Sequence, residues 1–251
     1  MLVITSTSNQ IIKDTAAHKS GKSCFALLEG ENLVNEAIKR KINIDKLFVL
    51  KDCADEYGVI LERVQRDKIS VYFVSENVFK ALSDTKTPQG ILALVELPQK
   101  PISGPKGNFL VLDNIQDPGN MGAILRSALG AGFFDVYLLN CVSLTNPKVV
   151  RASMGTVLAL DLYQTAAEQL RNMLNQTKLP LFVSDMKGKD IFSFRPPPQF
   201  GLVVGNEGSG VSDEIKKLCH EALTIPMRGG LESLNAAVAA GIIMFTLNSK
   251  K

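Results

Sequence analysis

The chain has 251 residues, 45% hydrophobic and 21% charged, a balance that suits one large or two small globular domains and excludes a disordered chain. Its net charge of +3 comes without any like-charge run longer than Lys39–Lys41, so no basic arm is visible and any polyanion must meet a patch assembled by folding. From the N-terminus, apolar β-rich runs occur at Cys24–Leu28, Leu47–Leu50, Val71–Val74 and Ile91–Val95. Leu33, Val34, Ala37 and Ile38 recur at helical spacing between the first two. This alternation predicts an α/β layer arrangement. Leu97–Asn108 (LPQKPISGPKGN) holds three prolines and two glycines and has no apolar periodicity, so it reads as a linker. Residues 1–97 are therefore expected to form a smaller first domain, 98–108 a linker and 109–251 a second domain.

In the second part, Phe109–Leu112, Val136–Leu139, Leu181–Val183, Leu202–Val204 and Ala222–Ile225 are short continuous apolar runs. Such runs suit parallel strands buried on both faces. Helical patterns at Met121–Leu129 and Thr165–Leu174 lie between them. An open parallel sheet places ligands beyond the carboxyl ends of its strands, and three glycine- or proline-rich segments follow strands there.

The first, Asp113–Arg126 (DNIQDPGNMGAILR), reads as a strand-to-helix turn in which Asp117 or Asn120 caps the helix. Capping leaves Arg126 unexplained, about two turns into the helix. The second, Gly205–Gly210 (GNEGSG), lacks the Lys-Ser/Thr ending of a phosphate-binding loop and is not G-x-G-x-x-G. Its three glycines imply close backbone approach, Glu207 can accept a hydrogen bond from a ligand, and a helix capped by Ser212 follows. The third, Ile225–Asn235 (IPMRGGLESLN), precedes a small-residue helix at Ala236–Phe245 whose expected N-cap is Ser233. The alanines and Gly241 favour close packing against another backbone, a partner subunit being one candidate.

The only histidines, His18 and His220, lie outside all three segments, which leaves Ser-His-Asp and Cys-His mechanisms without support. Cys24, Cys53, Cys141 and Cys219 are widely spaced, so neither a disulfide framework nor a metal site is expected. No secretory leader is visible, and the longest apolar run, Ala236–Phe245, is too short to span a bilayer. The protein is expected to be cytoplasmic, with no membrane and no metal.

Taken in order, DPGNMGAILRSA, LVVGNEGSGVS and IPMRGGLESLNAAVAAGI resemble the three motifs of the SpoU/TrmH family of RNA ribose 2′-O-methyltransferases, within the SPOUT class. The resemblance covers roughly residues 108 to 247. FALLEGENLVNEAI and TKTPQGILALV are similar to the family's small L30e-like substrate-binding domain. The resemblance implies a C-terminal SPOUT α/β domain with a trefoil knot plus a smaller N-terminal L30e-like α/β domain. It implies S-adenosylmethionine as cofactor, structured RNA as partner, with ribosomal RNA favoured over tRNA, and a homodimer. Gly205, Asn206, Gly208, Ile225, Met227 and Leu234 are the implied cofactor-binding residues. Asn120, Arg126, Glu207, Ser233 and Asn235 are the implied catalytic set, whereas Arg228 and Glu232 occupy variable places and receive no role. A base-methylating enzyme of the same class and a noncatalytic RNA-binding protein are the competing readings, and the intact set argues against the second.

Overall fold

The computed structural model describes residues 2–97, 99–229 and 233–249. The chain divides into two compact units, Met1–Pro98 with Ser143–Leu158, and Gln99–Val142 with Ala159–Lys251.

The first unit alternates β1 (Val3–Ile4), α1 (Gln10–Ala17), β2 (Phe25–Glu29), α2 (Glu31–Lys39), β3 (Ile44–Leu50), α3 (Gly58–Arg66), β4 (Ser70–Val74), α4 (Glu76–Leu82) and β5 (Ile91–Glu96). Its strands pair in the order β1-β4-β3-β5-β2, parallel on β4 and antiparallel on β5. Helix α2 buries Val34, Ala37 and Ile38, the i, i+3, i+4 stripe visible in the sequence. Phe48, Phe79 and Leu92 centre a core that α1 and α4 close.

The stretch Ser143–Leu158 was placed by its sequence position in the second domain. In the structure it folds with the first unit. Thr145 is buried, and its hydroxyl lies 3.1 and 3.0 Å from the carbonyl oxygens of Gly21 and Ser23. Six residues on, Arg151 of α6 (Pro147–Ser153) pairs with Asp84. The buried hydroxyl outweighs the partly exposed ion pair, since an orphaned buried carbonyl costs about 1–3 kcal/mol and a surface pair contributes about 0–1 kcal/mol.

The second unit contains β6 (Phe109–Asp113), α5 (Pro118–Gly130), β7 (Asp135–Leu139), β8 (Asp161–Gln164), α7 (Ala167–Thr177), β9 (Leu181–Asp190), β10 (Gly201–Gly205), α8 (Asp213–Lys216), β11 (Glu221–Thr224) and α9 (Ala236–Asn248). Its sheet is parallel throughout, ordered β11-β9-β10-β6-β7-β8. Every residue of β6 and β7 is buried, as a sheet covered on both faces requires. Phe109, Tyr137 and Tyr163 from three adjacent strands line up in its core, Phe109 edge-on to Tyr137 and Tyr137 stacked on Tyr163. Edge strand β8 is short and half polar, so it carries no apolar run for the sequence to reveal.

Helix α9 packs against α5 of the same chain. Gly241 faces Ser127, and the Phe245 ring lies over Gly130. The small-residue stripe thus has an internal partner, while Val238 and part of Phe245 remain about half exposed. We expect Thr145→Val to lower the unfolding free energy by about 1–3 kcal/mol and Arg151→Gln by less than about 1 kcal/mol, read from urea midpoints.

Candidate active site

Three loops leave the carboxyl ends of β6, β10 and β11, the edge at which open parallel sheets take ligands. Asp117 accepts the backbone N–H of Asn120 at 2.7 Å and so caps α5, with Pro118 in the first turn. That choice between the two candidate caps releases the Asn120 side chain for other contacts. Its amide N–H donates to Glu207 Oε1, and its Oδ1 accepts from Asn235 Nδ2 at 2.8 Å. Both ends of one amide thus tie the start of α5 to the loop after β10 and to the start of α9.

The expected cap of α9 was Ser233; the structure gives that role to Asn235. Its Oδ1 accepts the N–H groups of Ala237 and Val238 at 3.0 and 3.3 Å, two of the donors a helix start leaves unpaired. Ser233 lies two residues earlier and lines the neighbouring cavity. Of the third segment, Gly230–Glu232 lie outside the described residues, and with them Glu232.

The loop after β10 is built on Asn206. Its Oδ1 accepts from the N–H groups of Gly208 (2.9 Å) and Ser209 (3.1 Å), its Nδ2 donates to the Asn114 carbonyl (3.2 Å), and its backbone pairs with Gly210 in both directions. Gly210 has φ +70°, which lets the chain turn back. A Cβ on Gly205 would sit 2.5 Å from the Gly210 carbonyl carbon, so nothing larger than glycine fits beneath the returning strand. Buried Asp113, the last residue of β6, accepts the Ser212 N–H at 2.7 Å and closes the loop.

A cavity of about 540 Å³ opens between these segments. All six expected binding residues, Gly205, Asn206, Gly208, Ile225, Met227 and Leu234, line it, as do Glu207 and Ser233. Asn120 and Asn235 stand behind Glu207. Arg126 is exposed on α5, about 9 Å further along the helix axis than Asn120. Among the described residues the structure gives it no hydrogen bond or ion pair, so it is not part of the bonded cluster. Sequence reading missed Ser184, Asp185, Met186 and Lys216, which form another wall. The available signal was the position of the first three just past an apolar strand. Met186, Ile225, Met227, Leu234 and Ala239 give the wall an apolar side, and Asp185, Glu207 and Ser233 supply acceptors.

Burial raises the Cys141 thiol to about 11 against weaker lowering by backbone hydrogen bonds, so it is protonated near neutrality. Among the described residues no group of three His, Cys, Asp or Glu side chains could hold a metal ion, and no helix is long and apolar enough to cross a membrane.

The fold is that of a SPOUT-class methyltransferase. An AdoMet-bound rRNA methyltransferase from Sinorhizobium meliloti superposes with a TM-score of 0.90 over 99% of this chain and 97% of that one, at 24% identity. The profile of the SpoU rRNA Methylase family matches residues 107–245, and that of RNA 2'-O ribose methyltransferase substrate binding matches residues 27–101. This chain belongs to the SpoU rRNA methylase family. It is 32% identical, over 98% of its length and 99% of the relative's, to the 23S rRNA (guanosine(2553)-2'-O)-methyltransferase RlmP of Bacillus subtilis. It is 30% identical to the 23S rRNA (guanosine-2'-O-)-methyltransferase RlmB of Haemophilus ducreyi, over 82% of this chain and 89% of that protein.

Asn235→Ala is expected to lower stability by about 1 kcal/mol through loss of the α9 cap, while Asn235→Ser, which can cap but cannot reach Asn120 as an amide does, restores most of it. Thermal melts of the two variants beside the parent check this.

Proposed function

We propose that the protein methylates a ribose 2′-hydroxyl of ribosomal RNA with S-adenosylmethionine as donor. The carrying observation is the cavity at the carboxyl ends of the parallel strands, lined by the second and third segments and joined to the first through Glu207 and Asn120. Its volume falls in the range of small-molecule sites. Its apolar walls suit an adenine ring, and its carboxylates and backbone groups suit hydroxyls and amines. Family membership and relatives whose names specify 2′-O-methylation of 23S rRNA support the reaction class.

Bound in this cavity, S-adenosylmethionine supplies an already activated methyl carbon on its sulfonium. The chain's own task is to hold and align, which for a well-oriented pair of reacting groups is worth about 7–11 kcal/mol. Gly205, Ile225 and Leu234 hold the adenosine part mainly through backbone groups, with Asn206 and Gly208 keeping the loop in shape and Met227 covering it. Glu207 and Ser233 complete the pocket, and Asn120 and Asn235 behind them hold Glu207 in place. Arg126 projects from the same helix into solvent, where RNA arrives. A guanidinium offers five N–H donors and no acceptor, so its role is to grip the phosphate and target hydroxyl and to stabilise the developing alkoxide, the hydroxyl proton passing to solvent.

The same proposal includes an N-terminal L30e-like domain, residues 1–97, that grips structured RNA by shape and backbone contacts, followed by a linker at 98–108. The return of the chain from edge strand β11 past β9 and β10 to place α9 beside α5 supports a trefoil-knotted course for 109–251. The half-exposed Val238 and Phe245 on one face of α9 suit a second copy and hence a homodimer. The proposal also includes a cytoplasmic location for the enzyme.

Arg126→Ala should abolish radiolabelled methyl incorporation into unmodified rRNA while S-adenosylhomocysteine still binds as to the parent by calorimetry. Near-normal turnover would remove Arg126 from the mechanism.

A further inference from the structure

Among the described residues the cavity has two carboxylates on its wall. Glu207 is committed to Asn120 and through it to Asn235. Asp185 is not part of that chain. It stands just beyond the last paired residues of β9 and β10, Val183 and Val203, on the strand beside the one that ends in Gly205.

The backbone there is specially built. On its other side β9 pairs Val183 with Ala222 and then Lys189 with Leu223, so Ser184–Gly188 bulge out between two neighbouring positions of β11. Bulges re-aim side chains, and this one puts Ser184, Asp185 and Met186 on the cavity wall. Thr224 Oγ1 donates to the Met186 carbonyl at 3.0 Å and pins the bulge. Asp185 itself is held from two sides, with Lys216 Nζ 2.9 Å from Oδ2 and the Lys187 N–H donating to Oδ1 at 3.2 Å.

We propose that Asp185 recognises the ribose of the methyl donor, accepting hydrogen bonds from its vicinal 2′,3′-diol, with Lys216 positioning the carboxylate. This rests on the donor reading above. A carboxylate has about four acceptor sites, so the contacts from Lys216 and Lys187 leave lone pairs for two hydroxyls. Partial burial raises the carboxyl's proton affinity, but the hydrogen bonds from Lys216 and the Lys187 backbone outweigh it and hold the group below the ordinary range, ionised and acceptor-only. The diol is the better fit than the donor's amino-acid part for a positional reason. Asp185 flanks the end of β10, where Gly205 meets the adenosine, whereas the Glu207–Asn120–Asn235 chain lies toward the first segment and Arg126.

The test is a calorimetric titration of the full-length protein with S-adenosylhomocysteine and with its 2′,3′-dideoxy analogue. The parent should prefer the diol-bearing ligand by about ten- to a hundredfold, the range of hydrogen bonds to a charged group. Asp185→Asn should weaken S-adenosylhomocysteine by about that factor, change the dideoxy ligand less than about twofold, and so lose the preference. Lys216→Met, which leaves the carboxylate, should keep most of it. Equal loss of both ligands in Asp185→Asn would assign the residue to the amino-acid part or to the fold, and an intact preference would leave it idle; either overturns the inference while the donor reading stands. A parent protein that binds neither ligand while folded would instead overturn the donor reading and this inference with it.

Discussion

One asparagine amide, that of Asn120, donates to Glu207 and accepts from Asn235, residues 87 and 115 positions away in the chain. Each of the three belongs to a segment that would be a loose glycine-rich turn if left alone. Asn235 is simultaneously the cap of α9, and Asn120 sits in the first turn of α5, so the contact also sets the starts of two helices that pack along their length. Closing such long loops carries an entropic cost that rises only slowly with length. The packing of Gly241 on Ser127 and of Phe245 over Gly130 helps offset it, leaving the amide to choose the alignment.

The chemistry follows from what this arrangement contains. It brings together acceptors, backbone groups and apolar walls, and the cysteine near the strand ends, Cys141, is held protonated by burial. The arrangement suits a reaction in which a cofactor carries the electrophile and the protein contributes shape and orientation.

Ser143–Leu158 shows how sequence position and spatial membership separate. The chain leaves the parallel sheet after β7, contributes α6 to the first unit through Thr145 and Arg151, and returns at β8. Nothing in its composition announces this. Thr145 is an ordinary loop residue until two carbonyls from Gly21 and Ser23 meet it.

The sequence by itself determined the α/β class, most strands and the identity of the lining segments. Continuous apolar runs and Gly-Asn-Glu-Gly-Ser-Gly leave few alternatives for a chain that must bury a parallel sheet and turn tightly after it. Local capping chemistry was only half legible, because Asp117 and Asn120, or Ser233 and Asn235, are equally good caps one by one. Tertiary contact decided between them: Asn120 has to face Glu207, so Asp117 takes the cap of α5, and Asn235 reaches both the first turn of α9 and Asn120. The wall made by Asp185, Met186 and Lys216 was likewise beyond the sequence. It depends on an irregular pairing between β9 and β11, and a bulge of this kind exists only where two strands meet.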